Sequence, residues 1–577
     1  MTVRSISSMS GNQRIVILGN GLAANLAAAF LQQRFRQLEV VVVGIDKRDR
    51  PIVGESTVEL TTHFFHAIGL GHILEDAHYH KYGLTYYYKC NPSEPHCREY
   101  VVHEAPGIIR FPAYQINRHT FDDSVRSFNK ELGVLHIDAN VSDVVVAADG
   151  GVHEVNLVSA PGELGQSLNA KWIIDATGRS RFLARRLGLT KQSRNQRSTF
   201  WIRLEGFDRS GFQKLDLLKE THLCFDSYYA THHLWGKGYW IWLIPLRNPN
   251  GKDLISIGVT YRPDLIDREI LNLGDFMTFI RKDHPFVTEL IESGRVVSEN
   301  VYRNYMYEAS RYYSPNGWFL IGDAAFPSDP INSAGISTIA QQVPQVAAII
   351  EKDIRGELRP EYVDALQMYL EGQLALQDSW SRWYEIMHDP VKFAWTLVAN
   401  NAAYFHFILP AYIDGAFLDG RFTQEFARML NRATLTSRRP ESFAGLSGML
   451  SARSQNKPLQ TYIPNLFSHV INWRLYRSND LTRSSQAARY FRVMAFLRWR
   501  MIRLAGLGPR SLIHCCFCAM DIMRSLIVSL RPGNLLGNLS QSVLSSPWPA
   551  NGDFLRFQSK DLQMRDERQA NTDDSLE

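Results

Sequence analysis

Residues 14–30 read RIVILGNGLAANLAAAF, and this stretch decides the fold. Arg14 to Leu18 is a short apolar run of strand type, and Asn25 to Phe30 reads as helix. Between them lies Gly19-x-Gly21-x-x-Ala24. Glycines at the first two positions let the backbone turn tightly and approach a pyrophosphate, and the helix N-terminus favours its negative charge. Ala24 at the third position still permits close packing of helix on strand. A second apolar run, Val40 to Val43, completes a strand–loop–helix–strand unit, so a dinucleotide site is expected here. Its ribose-binding acid is expected to be Asp46, 25 residues beyond Gly21, with Glu39 as the competing position.

Two later strand ends extend this reading. Trp172 to Ile174 leads into Asp175-Ala176-Thr177-Gly178, and Trp318 to Ile321 leads into Gly322-Asp323-Ala324-Ala325. A flavin needs acceptors for its ribityl hydroxyls and backbone amides for its pyrophosphate; a strand-end carboxylate beside a glycine supplies the first. Together with the N-terminal loop, these elements point to FAD rather than NAD. Arg118, ahead of Phe121-Asp122, reads equally as a cofactor-side cation or a surface arginine.

Between the N-terminal unit and Trp318 lie alternating segments: Gly83 to Lys89, Thr199 to Leu204, Tyr239 to Pro245 and Leu254 to Tyr261. They predict an antiparallel sheet inserted into the nucleotide-binding fold. The third contains Trp240-Ile241-Trp242-Leu243-Ile244-Pro245, ended by a proline. Strand alternation places Trp240, Trp242 and Ile244 on one face, where two indoles make a bulky wall. Alone, such a pair is more often core packing. Thr338 to Ile354 predicts a long helix, and the next two hundred residues are mostly helical and rich in aromatics. Gly533 to Ser546 reads as a loop, and Gln558 to Glu577 as a disordered polar tail. Domain boundaries are expected at 14–345, with the inserted sheet at about 80–115 and 195–305, then a helical region at 346–535 and a loop and tail at 536–577.

The composition is globular: 577 residues, 45% hydrophobic and 21% charged. A net charge of +5 does not indicate a nucleic-acid partner. The six cysteines show no zinc spacing, so no metal site is expected. Cys515, Cys516 and Cys518 lie in an apolar run and read as buried free thiols. Few cysteines in a long chain fit a reducing cytosol, and no apolar run is long enough for a transmembrane helix. His63, His66, His72, His78 and His80 cluster without a repeated metal-pair spacing, and read as packing or surface residues. Charge is concentrated late in the chain: residues 431–531 hold 16 Lys and Arg against three acids. Within it, Arg492, Arg498, Arg500 and Arg503 alternate with Phe491, Met494, Phe496, Leu497, Trp499 and Ile502. Such a segment is a solvated basic face, a contact with a membrane surface, or a dock for an acidic protein such as an acyl carrier.

Three runs carry a family resemblance: Val53-Gly54-Glu55-Ser56-Thr57, Trp240-x-Trp242-x-Ile244-Pro245, and Asp329-Pro330-Ile331-Asn332-Ser333-Ala334-Gly335. In content, order and spacing they resemble the motifs of flavin-dependent halogenases, over roughly residues 14–340. The resemblance implies an FAD-binding Rossmann-like core of the glutathione-reductase type, an α/β fold with an inserted antiparallel substrate sheet and a mostly helical C-terminal region. It implies that a separate flavin reductase supplies FADH2, that oxygen and chloride or bromide are consumed, and that hypohalous acid travels through a tunnel to a lysine beside an electron-rich aromatic. That lysine is Lys81, 26 residues after Glu55 in His80-Lys81-Tyr82-Gly83, with Lys89 as second choice. An ammonium can hydrogen-bond hypohalous acid and a neutral amine can form a haloamine; burial makes either form accessible.

The resemblance further assigns Gly19, Gly21, Ala24, Asp46, Glu55, Ser56, Arg118, Gly322, Asp323, Pro330, Gly335 and Ile336 to the cofactor. It gives the halide to Ser333, Ala334 and Gly335, and the tunnel partition to Trp240, Trp242, Ile244 and Pro245. Tryptophan-specific members place a glutamate where this chain has Asn332, which cannot take a proton. The expected substrate is therefore phenolic or pyrrolic, free or carrier-tethered. The location is expected to be cytoplasmic, free or peripheral to the inner face of the membrane. The competing readings are an FAD-dependent aromatic monooxygenase or reductase, which needs no Lys81, and a non-catalytic flavoprotein that serves as a docking module.

Overall fold

Strands with hardly a polar side chain are buried on both faces, and here they form a parallel sheet. The computed structural model describes residues 13–45, 52–89, 100–104, 112–158, 166–212, 227–436, 443–455, 462, 483–506, 509–529 and 545–547. Asp46, Cys90, Cys97, Cys224 and the expected tail Gln558–Glu577 lie outside them, as does the Gly533–Ser546 loop apart from its last two residues. The principal elements are β1 (Arg14–Leu18), α1 (Leu22–Arg34), β2 (Glu39–Val43), α2 (Glu59–Ala67), β3 (Leu84–Lys89), β4 (Tyr100–Glu104), β5 (Leu135–Ile137), β6 (Trp172–Asp175), β7 (Ser198–Glu205) and β8 (Thr231–Gly236). They continue with β9 (Tyr239–Leu246), β10 (Leu254–Tyr261), β11 (Arg295–Tyr302), β12 (Trp318–Leu320), α3 (Ala334–Ile354), α4 (Pro360–Ser379), α5 (Pro390–Ala403), α6 (Arg483–Ala505) and α7 (Pro509–Ser529).

The parallel sheet has the order β12-β6-β1-β2-β5. Val16 pairs with Ile173 on one side and Val41 on the other. The loops that follow β1, β6 and β12 therefore emerge at one edge. Gly19 N donates to Val43 O at 2.7 Å, Ala176 N to Leu18 O at 2.9 Å, and Ile321 N to Asp175 O at 3.0 Å. In open α/β sheets, ligands bind outside the carboxyl ends of the strands, so this edge is where a dinucleotide belongs.

The second sheet has the order β11-β7-β10-β9-β8-β3-β4. It is antiparallel except that β3 runs parallel to β8. Those two strands are far apart in sequence and joined by no hairpin, which leaves the parallel direction open to them. β9 does not end at its proline. It runs through Pro245 to Leu246, and Pro245 falls beyond the last β8 partner, where one side of the strand has no ladder to complete. Its alternation sorts two cores. Tyr239, Ile241 and Leu243 pack with Phe276 and Leu290 on one face, while Trp240, Trp242 and Ile244 face Trp380, Trp383, Tyr384 and Phe393 on the other. The helical region thus closes over the indole face.

α6 contributes Val493, Leu497, Met501 and Ile502 to that same core, which leaves Phe496 and Trp499 exposed. Arg498 turns inward to Asp521 of α7, at 3.1 Å. Of the three neighbouring thiols only Cys518 is buried; Cys516 is exposed, because successive helical positions point about 100° apart. No helix among the described residues is long and apolar enough to cross a membrane.

Trp242 lies over Gly258 of β10, where a Cβ would sit 2.2 Å from the indole ring. Gly258→Ala is expected to lower stability by about 1–3 kcal/mol through overpacking, measurable as a lower urea midpoint at unchanged slope.

Candidate active site

Lys81 follows the two-residue strand Tyr79–His80, which pairs with Tyr114–Gln115. Its backbone N–H is held by Ala113 O at 2.7 Å. The side chain is only 2% exposed. Nζ donates to Ser56 Oγ at 2.8 Å and to Thr57 O at 2.9 Å. Ser56 Oγ is 3.1 Å from Thr231 Oγ1, which donates to Gln115 Oε1 at 3.4 Å. Gln115 Nε2 is tied in turn to Tyr229 O and Ala230 O. Burial lowers the Lys81 pKa to about 8, with Glu59 opposing the shift. At neutral pH the ammonium form dominates, two of its N–H groups are used, and the third is left for a ligand. Lys89 is elsewhere, its Nζ donating to the Lys282 and Asp283 carbonyls.

The Trp240 side of β9 reaches this site. His233 stacks between Trp235 and Trp240, at ring separations of 5.4 and 5.3 Å. Burial and the nearby Lys81 charge lower its pKa to about 3, so it is neutral. Trp242 Nε1 donates to Ser256 Oγ at 3.2 Å. Trp240 Nε1 donates to Tyr384 Oη at 3.1 Å, and Tyr384 donates to the Asp329 carboxylate at 3.1 Å. Arg197 Nε meets that carboxylate at 2.8 Å, with both side chains 1% exposed and the guanidinium over the Tyr384 ring. Asp329 Oδ1 also accepts from Ile331 N at 3.1 Å. One buried carboxylate thereby joins the indole wall to the turn at 330–335.

That turn ends at Ser333, whose φ of 51° is left-handed, before α3 begins at Ala334 without a side-chain cap. Such a turn aims successive amides into a concave anion site. Ala334 and Gly335 keep partial exposure, and a Cβ added at Gly335 would meet nothing. The Asn332 Nδ2 is buried without a partner.

The dinucleotide side has matching features. Gly19, at φ +103°, admits no side chain: a Cβ would lie 2.6 Å from Ala176 O. Gly21 opens α1 with no side-chain cap, and a Cβ there would meet only open space. Asp323 keeps accessible surface although protein surrounds it; burial raises its pKa against the pull of Arg179 and Arg118. Arg118 is buried, clasped by Asp122 through two bonds and bound to Val53 O at 2.7 Å, so it is not a surface arginine. Glu55 receives Arg203 at 2.7 Å on Oε1, while its Oε2 is buried without a partner. An orphaned acceptor, an uncapped helix start and an open glycine groove fit a flavin dinucleotide. The Ser56 hydroxyl is taken up by Lys81 and Thr231.

Two expectations change. Glu39 pairs with Arg14 at the start of β2, the end remote from the crevice, so it is no ribose ligand. Asp175 caps its own turn, accepting from Thr177 N and Leu183 N at 2.9 and 2.7 Å, and has no carboxylate oxygen turned to a ligand. Among the described residues no group of three His, Cys, Asp or Glu gathers as a metal site. His78 accepts from Asn117 N and packs on Phe121, and His63 packs on Tyr412. Sequence reading missed Arg197, His233 and Tyr384, which no motif marks, and Glu59, which stands two residues past the quoted Thr57.

An α/β dinucleotide-type fold with a buried lysine near the indole face of β9 fits a flavin-dependent halogenating enzyme. The chain belongs to the tryptophan halogenase family, whose model matches residues 14–89 and 108–372. The flavin-dependent halogenase chlA of Dictyostelium discoideum is 25% identical over 447 residues, 71% of this chain and 72% of that protein. The 1H-pyrrole-2-carbonyl-[peptidyl-carrier protein] chlorinase of Pseudomonas fluorescens is 25% identical over 398 residues, 65% of this chain and 82% of that protein. The crystal structure of halogenase PltM shares the fold at a TM-score of 0.58 and 16% identity, covering 87% of this chain and 99% of that one.

Arg197→Met leaves the Asp329 carboxylate buried and unpaired, and is expected to cost about 3–5 kcal/mol in equilibrium unfolding.

Proposed function

We propose that the protein chlorinates or brominates an electron-rich phenolic or pyrrolic ring with hypohalous acid delivered to Lys81. The observation that carries this reading is the Lys81 ammonium, 2% exposed, held by Ser56 and Thr57 with one donor to spare. Reduced FAD from a separate reductase, with oxygen, supplies the oxidising power that turns chloride or bromide into hypohalous acid. The cofactor is assigned to Gly19, Gly21 and Ala24 at α1, to Glu55, Ser56 and Arg118, to Gly322 and Asp323, and to Pro330, Gly335 and Ile336, with Asp46 on the ribose. Halide is assigned to the amides of Ser333, Ala334 and Gly335. Trp240, Trp242, Ile244 and Pro245 form the partition that keeps the organic ring from the flavin. The Lys81 N–H polarises the oxygen–halogen bond, so the halogen becomes the electrophile. Asn332 cannot act as base, which favours a ring already activated by hydroxyl or pyrrole nitrogen.

With a reductase, oxygen and bromide or chloride, mass spectrometry is expected to show halogenated phenolic or pyrrolic product. Lys81→Ala is expected to lower its rate by about 10²–10⁴-fold while flavin absorbance is retained. Because burial lowers the Lys81 pKa to about 8, the charged form is lost as pH rises, and turnover is expected to fall above about pH 8. Hydroxylated product without halide dependence overturns the reading in favour of a monooxygenase.

A carrier-tethered substrate is the form the basic helices support. Arg492, Arg500 and Arg503 are exposed on α6, and an acidic carrier complements them. Arg492→Glu with Arg500→Glu is expected to raise KM for carrier-bound substrate and leave KM for the free acid unchanged. Equal effects on both, or binding to anionic vesicles in place of the carrier, refute carrier docking.

A further inference from the structure

We propose that Glu59 is a catalytic residue: its carboxylate removes the ring proton after halogen transfer at Lys81 and returns that proton to the lysine. This rests on the halogenation reading and adds the proton acceptor which Asn332 does not provide.

Glu59 is the first residue of α2, two residues beyond Thr57, whose carbonyl holds Lys81 Nζ at 2.9 Å. The Lys81 charge acts directly on it. Its other neighbours come from the helical region and β3. The Tyr404 hydroxyl donates to the Glu59 carboxylate and accepts from Leu60 N at 3.2 Å. Tyr404 opens a π-helical turn, Tyr404–Ile408, of the kind often found at functional sites. Asn401, one turn earlier, reaches Tyr86, whose ring lies 5.3 Å from His233 and 5.6 Å from Trp235. Glu59 itself keeps accessible surface although protein surrounds it. The Lys81 ammonium, the Glu59 carboxylate and the Tyr86–His233–Trp235 rings are therefore neighbours, brought together by the start of α2, β3, β8 and the helical region.

The chemistry selects Glu59 from these groups. His233 is held neutral near pKa 3 and is a poor base. Burial raises the Glu59 pKa above the usual carboxylate range, against the pull of its own backbone, Lys81 and Tyr404, which strengthens it as a base. In the step, a ring carbon bonds the halogen of hypohalous acid as the oxygen–halogen bond breaks. The leaving oxygen takes a proton from the Lys81 ammonium and departs as water. The ring carbon is oxidised and the halogen is reduced from +1 to −1. Glu59 then takes the ring proton, the C–H electron pair restores aromaticity, and the carboxylic acid reprotonates the Lys81 amine.

The test uses the full-length enzyme with reductase and bromide, on a phenolic substrate in unlabelled and ring-deuterated forms, with a dione trap for free hypohalous acid. Glu59→Gln is expected to keep FAD absorbance and trapped hypohalous acid. It should slow product formation by about 10²-fold or more, and show a ring C–H isotope effect absent from wild type. Glu59→Asp should recover part of the rate. Wild-type rate without an isotope effect in Glu59→Gln overturns the proposal. Loss of FAD absorbance in both variants also overturns it, assigning Glu59 a purely structural role. Failure of the wild type to yield trapped hypohalous acid or product instead sinks the halogenation reading.

Discussion

The Asp329 carboxylate is the constraint on which the rest of this structure depends. It is buried, and a buried carboxylate must be paired. Its partners come from four places: Arg197 ahead of β7, Tyr384 in the helical region, the Ile331 amide in its own turn and, through Tyr384, Trp240 on β9. Removing any one leaves charge or dipole unsatisfied in a medium where the penalty is large. The cost of misplacement fixes the indole wall against the turn that leads into α3. One buried charge thus ties the indole face of β9 to the turn at 330–335.

Lys81 works under the opposite logic. Most buried ammonium groups need a carboxylate in contact, but here Nζ rests on a hydroxyl and a carbonyl. Burial depresses the pKa to about 8, and the nearby Glu59 charge holds it from falling further. The relay from Ser56 through Thr231 to Gln115 fixes the ammonium direction without neutralising it, since each hydroxyl both accepts and donates.

The helical region has two tasks. Trp380, Trp383 and Phe393 cover the indole face of β9, and Tyr384 and Tyr404 place hydroxyls on Asp329 and at Glu59. The region that carries the basic surface also completes the site, because most of the apolar face of α6 is turned inward.

How much was legible depended on how local the physics is. The β1–loop–α1–β2 unit, the face shared by Trp240, Trp242 and Ile244, and the strand-end Gly322-Asp323 are short-range patterns. A period of two or a glycine between strand and helix specifies them wherever they occur. Lys81 was legible only through its place after the Gly54–Thr57 run, since a lone lysine carries no signal of burial. Tertiary packing alone decided that Asp175 caps its own turn, that Glu39 answers Arg14, that Ser56 holds the lysine, and that Arg197 and Tyr384 meet on Asp329. The reason is physical: charge pairing and desolvation depend on distances in the folded chain rather than on spacing in sequence, and Arg197 and Asp329 meet across 132 positions. The sequence by itself determined a flavin-dinucleotide fold with two tryptophans on one strand face; only the folded chain decided which polar groups would be buried together, and so which lysine is buried with its pKa lowered.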